Sequence, residues 1–258
     1  MDKNSFVRET AIKLARARER NSFISKIPVK KIRNVNVATN ICREAERQLM
    51  WDPIGFKAGA TNKNVWKKLK VPKPFFSFLY NERTYKSGSK LPFQKNLLGA
   101  ELEVAFKIKN DLFFYNKKIT KNNVSKFILG VTPAIEIVGF RQKAGTIDCL
   151  GRMVSDFGLN VAFVFGKIKK YSLKKITNIK TTLINETTGQ KYEGNTNVVL
   201  GNPIKSLIWL LNEIKKSKMF LSFDFWVTSG STTQIAPFKK PTKFTGNIKN
   251  LGSVKVKF

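Results

Sequence analysis

Apolar residues recur along this chain at two periods, and each period marks out its own elements. Across residues 3–20, Val7, Ala11, Leu14 and Ala15 fall on one stripe at helical spacing. A second helical stripe over 36–50 carries Ala38, Ile41, Ala45 and Leu49. Residues 72–92 hold Pro72, Pro74, Gly88 and Pro92 and read as loop or short strands, with a boundary near residue 92. Past that point the period shortens to two. From Glu101 to Ile108 the chain alternates strictly: Leu102, Val104, Phe106 and Ile108 point one way, and Glu101, Glu103, Ala105 and Lys107 the other. Residues 127–140 form a second apolar strand interrupted by Glu136, and Val161–Phe165 is a short run suited to a buried strand. Asn202-Pro203 is a helix start, with Asn as N-cap and Pro in the first turn, followed by Ile204, Leu207, Ile208, Leu211 and Ile214 at helical spacing. Strands are expected at 221–228 and 253–258. No apolar run reaches the roughly 18 residues that a membrane helix needs.

Composition narrows the chemistry. The 258 residues carry a net charge of +31 and no histidine. A Ser-His-Asp triad, a Cys-His dyad and histidine-based zinc or iron sites are therefore excluded. Proton transfer near neutral pH falls to Lys, Glu, Asp, Tyr, Cys or a metal-bound water. Two cysteines, Cys42 and Cys149, are too few for a disulfide framework, which points to a reducing, cytoplasmic setting. The basic excess is spread along the chain with no basic tail. Lysine far outnumbers arginine, the residue that reads bases. That distribution argues for solvated lysines and against a dedicated nucleic-acid surface.

Within this frame a few residues stand out. Glu101 and Glu103 are two apart on a strand, so both carboxylates project from one face. Glu136 sits among apolar neighbours, where a carboxylate is costly unless it is paired or binds a metal. Three carboxylates meeting at one point would repel each other, and a hard divalent cation such as Mg²⁺ or Mn²⁺ resolves that. The plain alternative puts Glu101 and Glu103 on a solvent face and pairs Glu136 with a lysine. Lys57 lies between Gly55 and Gly59; close to a metal and partly desolvated, it would have a lowered pKa and could shuttle protons. The hydroxyl-rich turn around Ser229 and Ser231 could cradle a carboxylate. Asp156, in Val-Ser-Asp-Phe-Gly, is a further candidate, with a capping or turn aspartate as its plain alternative.

Taken in order, these pieces resemble the hydratase/decarboxylase branch of the fumarylacetoacetate hydrolase superfamily, the 2-keto-4-pentenoate hydratases. The likeness runs from about residue 36 to the C-terminus. The lysine motif is Gly55-Phe56-Lys57-Ala58-Gly59-Ala60-Thr61, and the metal strand is Glu101-Leu102-Glu103-Val104-Ala105-Phe106. They are followed by Ala134-Ile135-Glu136-Ile137-Val138, the helix from Gly201-Asn202-Pro203 to Trp209-Leu210, Ser229-Gly230-Ser231, and a closing Leu251–Phe258. The resemblance implies an α+β fold: a mixed β-roll catalytic core over 93–258 with an N-terminal α/β cap over 1–92 that carries Lys57. It implies Mg²⁺ or Mn²⁺ on Glu101, Glu103 and Glu136, with Lys57 and Asp156 catalytic and Ser229 and Ser231 in the substrate pocket. The implied reaction adds water to a 2-hydroxy-2,4-dienoate, giving a 4-hydroxy-2-oxo acid, and homo-oligomers are common in the family. Decarboxylation of a 2-oxo-3-enedioate is the alternative reaction. The motifs at Pro74–Ser77, Ser155-Asp156-Phe157 and Phe223-Asp224-Phe225 depart from the family pattern. Those departures leave open a decayed homologue that serves as a binding or assembly subunit.

Overall fold

The computed structural model describes residues 3–63, 66, 74–143, 148–170, 172–173 and 176–258; Pro72, read above as loop, lies outside them. The first helical stripe becomes α1 (Lys3–Glu19) and the second becomes α3 (Val35–Gln48), joined through the short α2 (Val29–Ile32). Asn34 caps α3 by accepting from the Asn36 backbone N–H, which satisfies one of the donors a helix start leaves open. The stripes meet: Ala11, Leu14 and Ala15 of α1 bury against Ala38, Ile41, Cys42 and Ala45 of α3 and against Leu150 and Val154 of α4 (Leu150–Ser155). No helix among the described residues is long and apolar enough to cross a membrane.

The strands build two sheets. The larger one is mixed and curled, and runs β2 (Phe75–Tyr80), β1 (Pro53–Gly59), β9 (Phe225–Ser231), β4 (Leu97–Ile108), β5 (Ile128–Gly139), β6 (Asn160–Phe165) and β3 (Thr84–Lys86), with the short β10 (Ala236–Pro237) beside β4. The smaller sheet is antiparallel, in the order β12 (Gly252–Lys257), β11 (Lys243–Ile248), β7 (Lys180–Asn185), β8 (Lys191–Asn195). The boundary expected near residue 92 falls between β3 and β4, and strands from both sides of it share the larger sheet.

The alternation in β4 holds, with one difference. Its even positions, Leu102, Val104, Phe106 and Ile108, enter a core shared with the smaller sheet and with α5 (Pro203–Lys216). Gly246 of β11 leaves room for Leu102: a Cβ there would stand 2.5 Å from Leu102 Cδ1. The odd positions do not face open solvent. Glu103 and Ala105 are buried, because the curled sheet folds over this face and packs Ala105 with Leu79, Ala134, Phe163 and Phe165. α5 begins as expected, with the Asn202 side chain accepting from Ile204 N, and it buries Ile204, Leu207, Leu210, Leu211 and Ile214. Each such side chain contributes about 1.5–3 kcal/mol of hydrophobic stabilisation.

The other differences have simple causes. The strand expected at 221–228 starts at Phe225 and runs on to Ser231, because β4 pairs with that stretch, from Ile108 opposite Phe225 to Glu103 opposite Ser231, and not with the residues before it. β2 forms despite the neighbouring prolines, since Phe76, Phe78 and Tyr80 find cover on β1 and α3. β7 and β11 were not anticipated: Thr181, Leu183 and Asn185 alternate inward, but two of the three are polar and hide the pattern.

Candidate metal centre

Antiparallel pairing of β4 with β5 sets Glu101 directly opposite Glu136 and Glu103 opposite Ala134. Opposed residues of an antiparallel pair share a face, so the three glutamates project together. One carboxylate oxygen from each lies within 4.8 Å of the others. Glu103 and Glu136 are buried, at 1% and 0% exposure, and Glu101 is half-buried. The solvent-face alternative therefore fails for Glu103, whereas its second half holds: Glu136 is paired with a lysine.

That lysine is Lys57. β1 reaches β4 through β9, with Lys57 beside Thr228 and Thr228 beside Ala105. Gly55 permits the close approach, since a Cβ there would sit 2.0 Å from the Trp226 carbonyl oxygen. Lys57 Nζ donates to Glu136 Oε1 at 2.7 Å, to Glu136 Oε2 at 2.9 Å and to the Gly158 carbonyl at 3.0 Å. Its three protons are thus all placed. Glu103 is held separately: Gly230 N donates to its Oε2 at 3.0 Å. Gly230 has φ +101°, and a Cβ there would meet Thr61 Oγ1 at 1.9 Å, so the position requires glycine.

Among the described residues, three carboxylates face one ammonium in a largely buried region. Burial, reinforced by Glu136 and opposed by Lys57, pushes Glu101 up to about 7. Burial and then Glu136 drive Glu103 well above the ordinary carboxylate range. A lowered Lys57 pKa is expected beside a metal; with the carboxylates alone around it the direction is the opposite. Burial does pull it down, but Glu136, Glu103 and Glu101 outweigh burial, and the net shift is upward. The sequence places Lys57 near the carboxylates but does not show that they would surround it. Carboxylate-only oxygen donors with surplus negative charge fit a hard divalent cation such as Mg²⁺ or Mn²⁺, and do not fit a soft one.

The other sequence candidates lie in different settings. Asp156 is not among the gathered carboxylates. Arg141 engages both of its oxygens, through Nε on Oδ1 and through the backbone N–H on Oδ2 at 2.7 Å. Ser231 stands opposite Glu103 in register, half-buried, with its Oγ donating to the Thr233 carbonyl at 2.8 Å. Ser229 is buried; its carbonyl accepts from Ser206 Oγ, and its own Oγ has no hydrogen-bond partner among the described residues. Sequence reasoning missed Asn160, whose Nδ2 donates to Glu136 Oε1 at 3.0 Å. The signal was a lone amide at the head of an apolar strand. It also missed the Gly230 N–H, hidden behind the two serines that flank it.

No family profile matches the chain. A 2-keto-4-pentenoate hydratase from Paraburkholderia phymatum is 26% identical over 211 residues, covering 80% of this chain and 78% of its own length. A second, from Burkholderia vietnamiensis, is also 26% identical, over 207 residues, with the same coverage. In three dimensions, the 4-oxalocrotonate decarboxylase of Pseudomonas putida G7, solved with magnesium and adipate, superposes with a TM-score of 0.85 at 19% identity. It covers 100% of this chain and 99% of that one. The fumarylpyruvate hydrolase of Pseudomonas aeruginosa, solved with Mn²⁺ and pyruvate, gives a TM-score of 0.53 at 14% identity over 80% of this chain and 89% of that one.

Proposed function

We propose, from a resemblance to the hydratase/decarboxylase branch of the fumarylacetoacetate hydrolase superfamily that holds in both sequence and fold, that this chain is a divalent-metal-dependent lyase adding water to a 2-hydroxy-2,4-dienoate. The observation that carries the reading is the meeting of Glu101, Glu103 and Glu136 within 4.8 Å, with Lys57 as their nearest counter-charge. These three side chains would hold Mg²⁺ or Mn²⁺. The ion supplies a Lewis acid that favours the enolate form of a 2-oxo acid.

The remaining work falls to the chain itself. The Gly230 N–H and the Asn160 amide orient Glu103 and Glu136, so the oxygens are set before substrate arrives. Hydration leaves one hydrogen on C5 and one on C3 and a hydroxyl on C4, while the enol oxygen gives up its proton. A proton must therefore move between oxygen and carbon. Lys57 Nζ is the proton carrier in this reading, a role it takes when one of its three hydrogen bonds is released. Ser231, opposite Glu103, receives the substrate carboxylate in this reading, once its hydroxyl leaves the Thr233 carbonyl. Ser229 is kept in the pocket for its hydroxyl, which has no hydrogen-bond partner among the described residues. Asp156, bound to Arg141, supports the site from behind in place of touching substrate.

The test is to purify the protein, add Mg²⁺ and follow the absorbance of 2-hydroxypenta-2,4-dienoate. Wild type consumes it and Glu103→Ala does not; an inert wild type or a fully active variant defeats the reading. Decarboxylation of a 2-oxo-3-enedioate is the second reading, supported by the end-to-end fold match to a decarboxylase. It uses the same enolate, and CO₂ release from the diacid separates the two.

A further inference from the structure

Asn160 holds Glu136 from one side and is itself held from two others. It begins β6 and is buried at 1% exposure. While Nδ2 donates to Glu136 Oε1, Oδ1 accepts from Arg18 Nη2 at 2.9 Å. The two ends of an amide differ, and a guanidinium can only donate. The end facing Arg18 must therefore be the oxygen, which leaves the NH₂ group for Glu136. Turned the other way, Oδ1 would face a carboxylate oxygen and add repulsion to a cluster that already carries surplus negative charge. The Asn160 carbonyl accepts from Arg141 Nη1 at 2.8 Å, so the backbone is clamped as well.

Arg18 is an unusual partner. It comes from the last turn of α1, is 3% exposed, and lies over the Phe157 ring at 4.5 Å, with Tyr80 and Trp51 at 5.3 and 5.4 Å. Its Nε and Nη1 have no hydrogen-bond partner among the described residues. A buried guanidinium with unused donors is costly to keep. Its one side-chain hydrogen bond there is to the residue that orients Glu136.

We infer that Asn160 is a positioning residue of the metal centre, and that Arg18, reaching in from the first helix, sets the direction of its amide. The N-terminal helix is on this account part of the centre, through the chain Arg18–Asn160–Glu136. The inference rests on the metal reading given above.

The experiment measures Mn²⁺ binding to the full chain by the electron paramagnetic resonance of free and bound ion. The proteins are wild type, Asn160→Ala, Arg18→Met and the double variant, with urea melts alongside. Asn160→Ala is expected to bind Mn²⁺ about 10–100-fold more weakly and to alter the bound-ion spectrum, as loss of a partner behind a metal ligand does. Arg18→Met loses less, and the double variant is no weaker than Asn160→Ala, because Arg18 acts through Asn160. A merely structural role would move the urea midpoint and leave the Kd and the spectrum alone. Unchanged binding in Asn160→Ala, or additive losses in the double variant, overturns the inference while the metal reading stands. A wild type that binds no Mn²⁺ overturns both. If Asn160→Ala does not fold, Arg18→Met decides by itself: a Kd and spectrum equal to wild type overturn the inference, and a weaker Kd with a changed spectrum supports it.

Discussion

Two clusters of buried charge lie on either side of Asn160, and they are built on opposite principles. On one side Arg141 and Asp156 form a closed account of charges and donors. Arg141 Nε reaches Asp156 Oδ1, Nη1 reaches the Asn160 carbonyl, and Nη2 reaches the carbonyls of Gly139 and Asp156 at 3.2 and 3.0 Å. One charge meets one counter-charge, and each guanidinium nitrogen has an acceptor. On the other side Glu101, Glu103 and Glu136 share a single ammonium among the described residues, and two of the carboxyls are pushed upward by burial. Both clusters are buried and polar, so burial alone does not separate structure from function. Completeness does: a satisfied pair stabilises or specifies a fold, and a cluster left short of positive charge has room for a ligand.

The comparison breaks first if Glu103→Ala keeps its turnover. The expected result is a fall in kcat/KM beyond about 100-fold, more than the loss of an outer partner costs, with Mn²⁺ binding lost alongside. The next largest effect is on stability and belongs to the other cluster. Asp156→Ala strands a buried guanidinium and should cost about 3–5 kcal/mol in urea unfolding. Glu103→Gln, which removes a buried charge that repels its neighbours, should leave the metal-free protein as stable as wild type or more so.

Metal titration sharpens the contrast further. At a Mg²⁺ concentration 100 times Kd, unfolding should become about 2.7 kcal/mol more costly. The gain should vanish in Glu103→Ala and with chelator. The smallest expected effect concerns a half-exposed carboxylate, Asp148, which pairs with Arg152 and Lys26. The Arg152 hydrogen bond, outweighing burial, holds the Asp148 carboxyl at about 2, below its ordinary 3.8. A lowered folded-state pKa contributes stability that is present above the ordinary value and is lost as pH falls through the folded one. Asp148→Asn should therefore be less stable than wild type by no more than about 1 kcal/mol at pH 7, and the difference should disappear between pH 4 and pH 2. A difference that persists at pH 2 would show that the carboxylate is not its source.

Much of this was legible in the residues, and the boundary follows the range of the forces involved. Residue periodicity is a local property: strand alternation placed Glu101 and Glu103 on one face and marked Glu136 as an anomaly, and helical spacing located α1, α3 and α5, the last also by its cap. The resemblance then joined the pieces into a candidate centre around Lys57. β7 escaped because Thr181 and Asn185 turn inward there, and an inward polar residue is rewarded only by partners far away in sequence; β11 escaped because a glycine, Gly246, stands between its inward Phe244 and Ile248.

What the tertiary structure alone decided is who meets whom. Register sets Glu101 opposite Glu136; one residue of slip would send them to opposite faces. The insertion of β9 between β1 and β4 brings Lys57 to the carboxylates and, by doing so, raises the pKa that isolation would have lowered. Arg141 engages both oxygens of Asp156, and Arg18 donates to the Asn160 side-chain oxygen. The partners in these pairs are separated by 15 to 142 residues. Periodicity fixes the direction in which a side chain points from its own element, but its partner is chosen only when distant elements pack together and the charges must be balanced in the interior.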